Sequence, residues 1–155
     1  MTNHEDLMYQ IMGRISEADT PIIFKGALIT KLVLAENGYI ALERNTKDID
    51  ANWIGAPPSM DELVDTINHA LGELRSQLHA VHFREYGEKK SAGISIIRNG
   101  TEDEVVLMDI SMKPVFRSKV YYFGTTGIKG VLANQILADK ITVISSKIVL
   151  PIPEG

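Results

Sequence analysis

Two short stretches decide the reading of this chain: Phe24-Lys25-Gly26-Ala27, and Arg44-Asn45-Thr46-Lys47-Asp48-Ile49-Asp50. Pro21 to Phe24 is an apolar run of strand character, and Gly26 breaks it where the chain must turn. Ala27 to Glu36 is then built of good helix formers, with Leu28, Lys31, Leu32 and Ala35 at helical spacing. Asn37-Gly38 ends that helix, the glycine suiting a left-handed cap. The next strand carries Asp48 and Asp50, two residues apart and therefore on one face, while Ile49 faces the opposite layer.

Side by side, two carboxylates repel each other unless a cation lies between them. Magnesium is the natural cation, because it prefers carboxylate oxygens and completes its shell with water and substrate phosphates. A helix that starts on a glycine at a strand end offers free backbone N–H groups to an anion. A phosphate cradle beside metal ligands is what a nucleoside triphosphate with magnesium requires. Read singly, Asp-x-Asp is common at strand ends and strand–Gly–helix turns occur in any α/β domain. The order and spacing of the two together favour function.

With these residues the chain resembles the nucleotidyltransferase superfamily, which shares the DNA polymerase β fold, and within it the AbiEii-like toxins of type IV toxin–antitoxin systems. Those proteins show Lys-Gly-Gly before the helix and Arg-x-Ser/Thr-x-Asp-Ile-Asp after it. The corresponding residues are Lys25-Gly26-Ala27 and Arg44-Asn45-Thr46-Lys47-Asp48-Ile49-Asp50. Met108-Asp109-Ile110 is similar to the family's third-carboxylate strand, and Ile136-Leu137-Ala138-Asp139-Lys140-Ile141 to its Leu-Ala-Glu-Lys-Leu helix. The likeness runs from Pro21 to Ser146 and is most specific in the Arg-x-Thr-x-Asp-Ile-Asp segment.

The resemblance implies a mixed α/β (α+β) core, a small twisted sheet flanked by helices. It implies transfer of a nucleoside monophosphate from an NTP to an acceptor hydroxyl. Asp48, Asp50 and Asp109 would be the catalytic and metal-binding residues, holding two Mg2+ ions. Lys25, Gly26, Ala27, Arg44, Thr46 and Lys140 would contact the nucleotide. RNA, especially a tRNA 3′ end, would be the acceptor, and an antitoxin the protein partner. Two departures stand out. Ala27 replaces the family's second small residue, Ser or Gly, and offers no hydroxyl. The family's further Arg- and Asp-containing helical segment is expected to be absent, since the sequence ends at Pro151-Ile152-Pro153-Glu154-Gly155. Two other readings remain open: a small-molecule nucleotidyltransferase of the antibiotic-modifying kind, and a non-catalytic nucleotide- or partner-binding member of the fold.

Length and composition agree with one domain over residues 1–155 and a cytoplasmic location. Hydrophobic content is 45% and charged content 23%, ordinary for a globular domain. Without cysteine, disulfides and thiolate metal sites are excluded. The N-terminus is polar and acidic, unlike a secretory leader, and no apolar run is long enough to span a membrane. Net charge is −4, but residues 1–112 carry 10 Lys/Arg against 18 Asp/Glu, and residues 113–155 carry 6 against 2. That basic third could follow a phosphate-bearing substrate or be a solvated face.

The remaining elements follow from pattern. Glu5 to Ala18 reads as an amphipathic helix with Leu7, Ile11, Met12 and Ile15 on one side. Tyr39 to Leu42 reads as a linking segment. Ser59 with Glu62 is a capping-box start for a helix expected to reach His79, with His69 and His79 on its surface. Val81 to Tyr86, Ala92 to Ile97 and Glu104 to Met112 read as strands, with Gly87 to Lys90 and Asn99-Gly100 as turns. Asp109 lies in so apolar a run that burial without a cation would be costly. Val120 to Phe123 is a short strand, Gly124 to Gly130 a loop without P-loop spacing, and Val131 to Ser146 a last helix carrying Lys140 near its apolar stripe.

Overall fold

The computed structural model describes residues 3–41, 48–86, 91–112, 117–132 and 148–149. In chain order the elements are α1 (Asn3–Glu17), β1 (Ile22–Lys25), α2 (Ala27–Glu36), β2 (Ile40–Ala41), β3 (Asp48–Trp53), α3 (Met60–Ala70), a 3-10 turn (Gly72–Ser76), β4 (Leu78–Tyr86), β5 (Ser91–Arg98), β6 (Glu104–Ser111), β7 (Ser118–Phe123), β8 (Thr126–Val131) and β9 (Ile148–Val149). The fold is mixed α+β. Seven strands form one sheet in the order β4-β5-β6-β3-β1-β8-β7, and β2 pairs with β9 separately. Within the large sheet, β3 runs parallel to β6 and β1 parallel to β8, while the other pairs are antiparallel.

Register explains the layering, because residues paired across strands share a face. Ala92, Ile110, Ala51, Phe24 and Gly130 form one row across five strands. Every one of them is buried. Ala92, Ile110, Ala51 and Phe24 belong to one hydrophobic cluster that also takes Met8, Ile11, Met12 and Ile15 of α1, Leu28, Ile29 and Val33 of α2, and Leu63 and Ile67 of α3. Gly130 lets α2 come close: a Cβ there would lie 2.9 Å from Ile29 Cδ1 and 3.0 Å from Tyr121 Cδ2.

Helix α2 is apolar on most sides, so its stability comes from burial rather than from an amphipathic surface. Its C-terminus closes in a Schellman arrangement. Gly38, at φ 80°, supplies the left-handed residue. Its N–H bonds Ala35 O at 3.2 Å, and Tyr39 N–H bonds Leu34 O at 2.8 Å. Tyr9 Oη, from α1, donates to Leu28 O at 3.0 Å. Lys31 Nζ meets both carboxylate oxygens of Glu5 at 3.1 Å, with side-chain exposures of 16% and 5%, so the α1–α2 joint contains a buried ion pair.

Several expectations need correction. The helix that starts at Ser59 ends near Leu71 rather than reaching His79. Gly72 takes φ 55° and a 3-10 turn follows. Leu78 and His79 therefore begin β4, and His79 bonds Asn99 at 2.7 Å instead of lying on a helix surface. Tyr39 to Leu42 is not simply a link, since Ile40–Ala41 is β2. Gly124 to Gly130 is not a loop: Gly124-Thr125 is a two-residue turn, and Thr126–Val131 is β8. Val131 thus ends a strand and Leu132 is not helical; the rest of the expected last helix, like the turn at Gly87 to Lys90, lies outside the described residues.

Candidate active site

The site grows from the end of β1. Lys25 pairs with Asp50 across the antiparallel β1–β3 ladder. Asp50 pairs with Asp109 across the parallel β3–β6 ladder. Asp109 pairs with Gly93 on β5, and Gly93 with Arg84 on β4. One row therefore crosses five strands as Lys25, Asp50, Asp109, Gly93, Arg84, directly beside the buried row described above. Asp48 shares the Asp50 face one pleat along β3, next to Leu107.

Gly26 joins this row to helix α2. It is the N-cap, at φ 81° and ψ −159°, a region open to glycine and strained for any L side chain. A Cβ at Gly26 would stand 2.9 Å from Asp50 Cβ and 3.0 Å from Asp50 Cγ, in contact with the carboxylate itself. Two demands thus fall on one residue: a left-handed turn, and room for Asp50. The first intrahelical bond is Thr30 N–H to Gly26 O at 2.9 Å, doubled by Thr30 Oγ1 to the same oxygen. The N–H groups of Ala27, Leu28 and Ile29 precede it. Gly26, without a side chain, provides no cap of its own, and the first turn holds no acidic residue. The helix start is thus an anion-favouring end with the Asp50 carboxylate beside it.

The expected site residues divide into three groups. Lys25, Gly26, Asp50 and Asp109 are brought together by register, with Ala27 opening the helix and Asp48 on the same face. Arg44, Thr46 and Lys140 lie outside the described residues. The burial argument for Asp109 is corrected: it is exposed, as is Asp48, while Asp50 is half-buried. Alternation along β6 turns Asp109 to water while Met108 and Ile110 enter the core. Gly93 was missed. It pairs with Arg84 just past the irregularity in β4, and a glycine inside an apolar strand is the sequence signal of such a place.

The donor chemistry, three carboxylates on two adjacent strands, fits a hard divalent cation. As the side chains stand, no three His, Cys, Asp or Glu residues converge as a metal group among the described residues. The backbone register suits a cation; the side chains do not close on a common point.

An open cleft of about 710 Å3 lies elsewhere, lined by α1 and the start of β8, and includes Arg14, Asp19, Thr126 and Lys129. Because β8 runs parallel to β1, this is the end of the sheet opposite Lys25 and Gly26. Its basic groups are engaged within the fold: Arg14 with Glu73 at 3.4 Å and Lys129 with Asp19 at 3.0 Å. None of the described site residues lines it.

No helix among the described residues is long and apolar enough to cross a membrane. Neither a protein-family model nor a curated protein matches this sequence. Among solved structures, the chain is similar to MenT4, a nucleotidyltransferase toxin from Mycobacterium tuberculosis H37Rv. The TM-score is 0.52 at 16% identity, over 90% of this chain and 51% of that one. The chain thus spans about half the length of that neighbour, and what the two share is the fold.

Proposed function

We propose that this chain is a metal-dependent nucleotidyltransferase that moves a nucleoside monophosphate from an NTP to an acceptor hydroxyl and acts as a toxin-like protein of the AbiEii-like kind. The observation that carries the proposal is the junction of Gly26 with Asp50, where an anion-favouring helix start meets the row Lys25–Asp50–Asp109. The fold shared with a nucleotidyltransferase toxin supports the same reading.

In this reading the N–H groups of Gly26 and Ala27 cradle the β- and γ-phosphates, and Lys25 adds positive charge. Arg44, Thr46 and Lys140 are assigned to the nucleotide by resemblance alone. Asp48, Asp50 and Asp109 would hold magnesium, which when bound lowers the pKa of the acceptor hydroxyl and offsets charge on the departing pyrophosphate. Asp109 faces water and accepts the acceptor proton. RNA, such as a tRNA 3′ end, is the proposed acceptor, and an antitoxin the proposed partner. We assign residues 1–155 to a single domain.

A second reading, nucleotide binding without turnover, is favoured by one observation: the described carboxylates do not converge as a metal group. Calorimetric titration of each NTP with magnesium, on wild type and on the Asp48→Ala/Asp50→Ala pair, is the test. Magnesium-dependent binding lost in the pair, followed by label transfer to a tRNA pool, supports the enzyme. Binding without transfer to RNA or to small hydroxyl acceptors supports the second reading. Absence of binding by any NTP overturns both.

A further inference from the structure

The two edges of the seven-stranded sheet are built differently. At one edge, β4 carries His79, His82, Arg84 and Glu85, with a bulge between His82 and Arg84. Charges and a bulge of this kind discourage pairing with another strand. At the other edge, β7 has no bulge and a single charged residue. Its ladder to β8 is unbroken from Ser118 to Phe123, and it contains no proline. Lys119, its sole formal charge, turns toward α2. There it meets Glu36 at 3.2 Å and lies 4.8 Å above the Tyr121 ring. Val120 and Tyr122, on the opposite face, are 43% and 66% exposed.

Turn geometry fixes which backbone groups of β7 point outward. Phe123 and Thr126 flank the two-residue turn, so they form its closing hydrogen-bonded pair. Gly124 at φ 62° supplies the positive first central residue that a tight hairpin of this kind uses. Antiparallel ladders alternate bonded and non-bonded pairs. Tyr121 and Lys119 therefore bond to β8, while the N–H and C=O of Val120 and Tyr122 face away from the sheet. Among the described residues no strand receives them.

We propose that β7 pairs antiparallel with β7 of a second copy of this chain, with Tyr121 on the two-fold axis. This register is self-complementary. Val120 exchanges both backbone hydrogen bonds with the partner's Tyr122, and Tyr122 with the partner's Val120. The same register sets a β-branched side chain against an aromatic one twice, a favourable cross-strand pair. Lys119 comes to lie opposite the partner's Phe123. The two Lys119 side chains are then about 14 Å apart along the strand direction, beyond the screening length at physiological salt. The single charge of the strand thus does not oppose self-pairing, and two seven-stranded sheets become one continuous sheet.

The test is sedimentation equilibrium of the full chain across the micromolar range, with wild type, Val120→Lys and Tyr122→Lys. The expected result is a monomer–dimer equilibrium in wild type, with dissociation constants raised about tenfold or more in each variant. Circular dichroism confirms that the variants remain folded. Independently of any variant, hydrogen exchange at the Val120 and Tyr122 amides slows as wild-type concentration rises. A wild type that stays monomeric throughout, with concentration-independent exchange at these amides, overturns the proposal and leaves the edge to a strand of some other protein. A dimer that Tyr122→Lys leaves unchanged overturns it as well.

Discussion

Gly26 and Asp50 occupy adjoining space: the carboxylate of one fills the place where the other would carry a side chain. The glycine also sits at φ 81° and ψ −159°. Gly26→Ala is therefore expected to lower unfolding free energy by about 2 kcal/mol or more from backbone strain alone. It should also displace Asp50. Urea denaturation reads the first effect, and magnesium-dependent NTP titration of the folded variant reads the second. A variant as stable as wild type would show that the turn tolerates a Cβ.

Asp109 faces water next to Asp50 and, in the proposed function, serves the acceptor rather than the nucleotide. Asp109→Asn should lower kcat by about a hundredfold or more while NTP affinity changes less than tenfold. Single-turnover label transfer alongside calorimetry separates the two. An equal loss in both would place Asp109 in nucleotide binding instead.

The α1–α2 joint depends on an ion pair that is mostly out of water. Lys31→Ala leaves Glu5, with a side chain only 5% exposed, without its lysine, and is expected to cost about 3 kcal/mol. The Glu5→Leu/Lys31→Met pair should recover most of that. Arg14→Ala, which breaks an exposed pair with Glu73, should cost under about 1 kcal/mol. Chemical denaturation of the four proteins tests the ordering.

Two buried tyrosines make the fold sensitive to alkali. Burial, with Glu36 adding to it, pushes the Tyr121 hydroxyl up to about 12. Burial, with Glu5 adding to it, raises Tyr9 as well. The unfolded chain loses these protons near pH 10, before the folded chain does, so stability is intact below pH 10 and falls as pH rises from there toward 12. Thermal melts over this range should show a shallower decline for Tyr121→Phe. The variant also loses the 2.7 Å bond to Val131 O, about 1 kcal/mol at neutral pH.

Local signals were the legible ones. Helix α2 runs from Ala27 to Glu36 as its residues predict, and Ser59 Oγ accepts from Glu62 N–H at 3.1 Å as the capping pattern requires. The shared face of Asp48 and Asp50 followed from strand period alone. What failed was decided by tertiary contact. Leu74 and Leu78 continue a helical stripe in sequence, but Gly72 breaks the helix and β5 captures Leu78 as a strand residue. Gly127 and Gly130 read as loop residues. They are strand residues, made small because Val120, Tyr122, Tyr121 and Ile29 pack over them. The neighbourhood of Asp50 and Asp109 is a matter of register between strands far apart in the chain, which no local pattern encodes.

That register bears on how the molecule reaches its native state. Strands β4, β5 and β6 follow one another as a meander whose contacts are short in sequence. The junctions β3–β6 and β1–β8 are parallel and close long loops, and such closures are entropically slow. The carboxylate row straddles β3–β6, and Gly26 meets it from the end of β1. The candidate site is thus complete only after the long-range β3–β6 pairing has formed, and a chain in which only the meander has folded cannot yet present it.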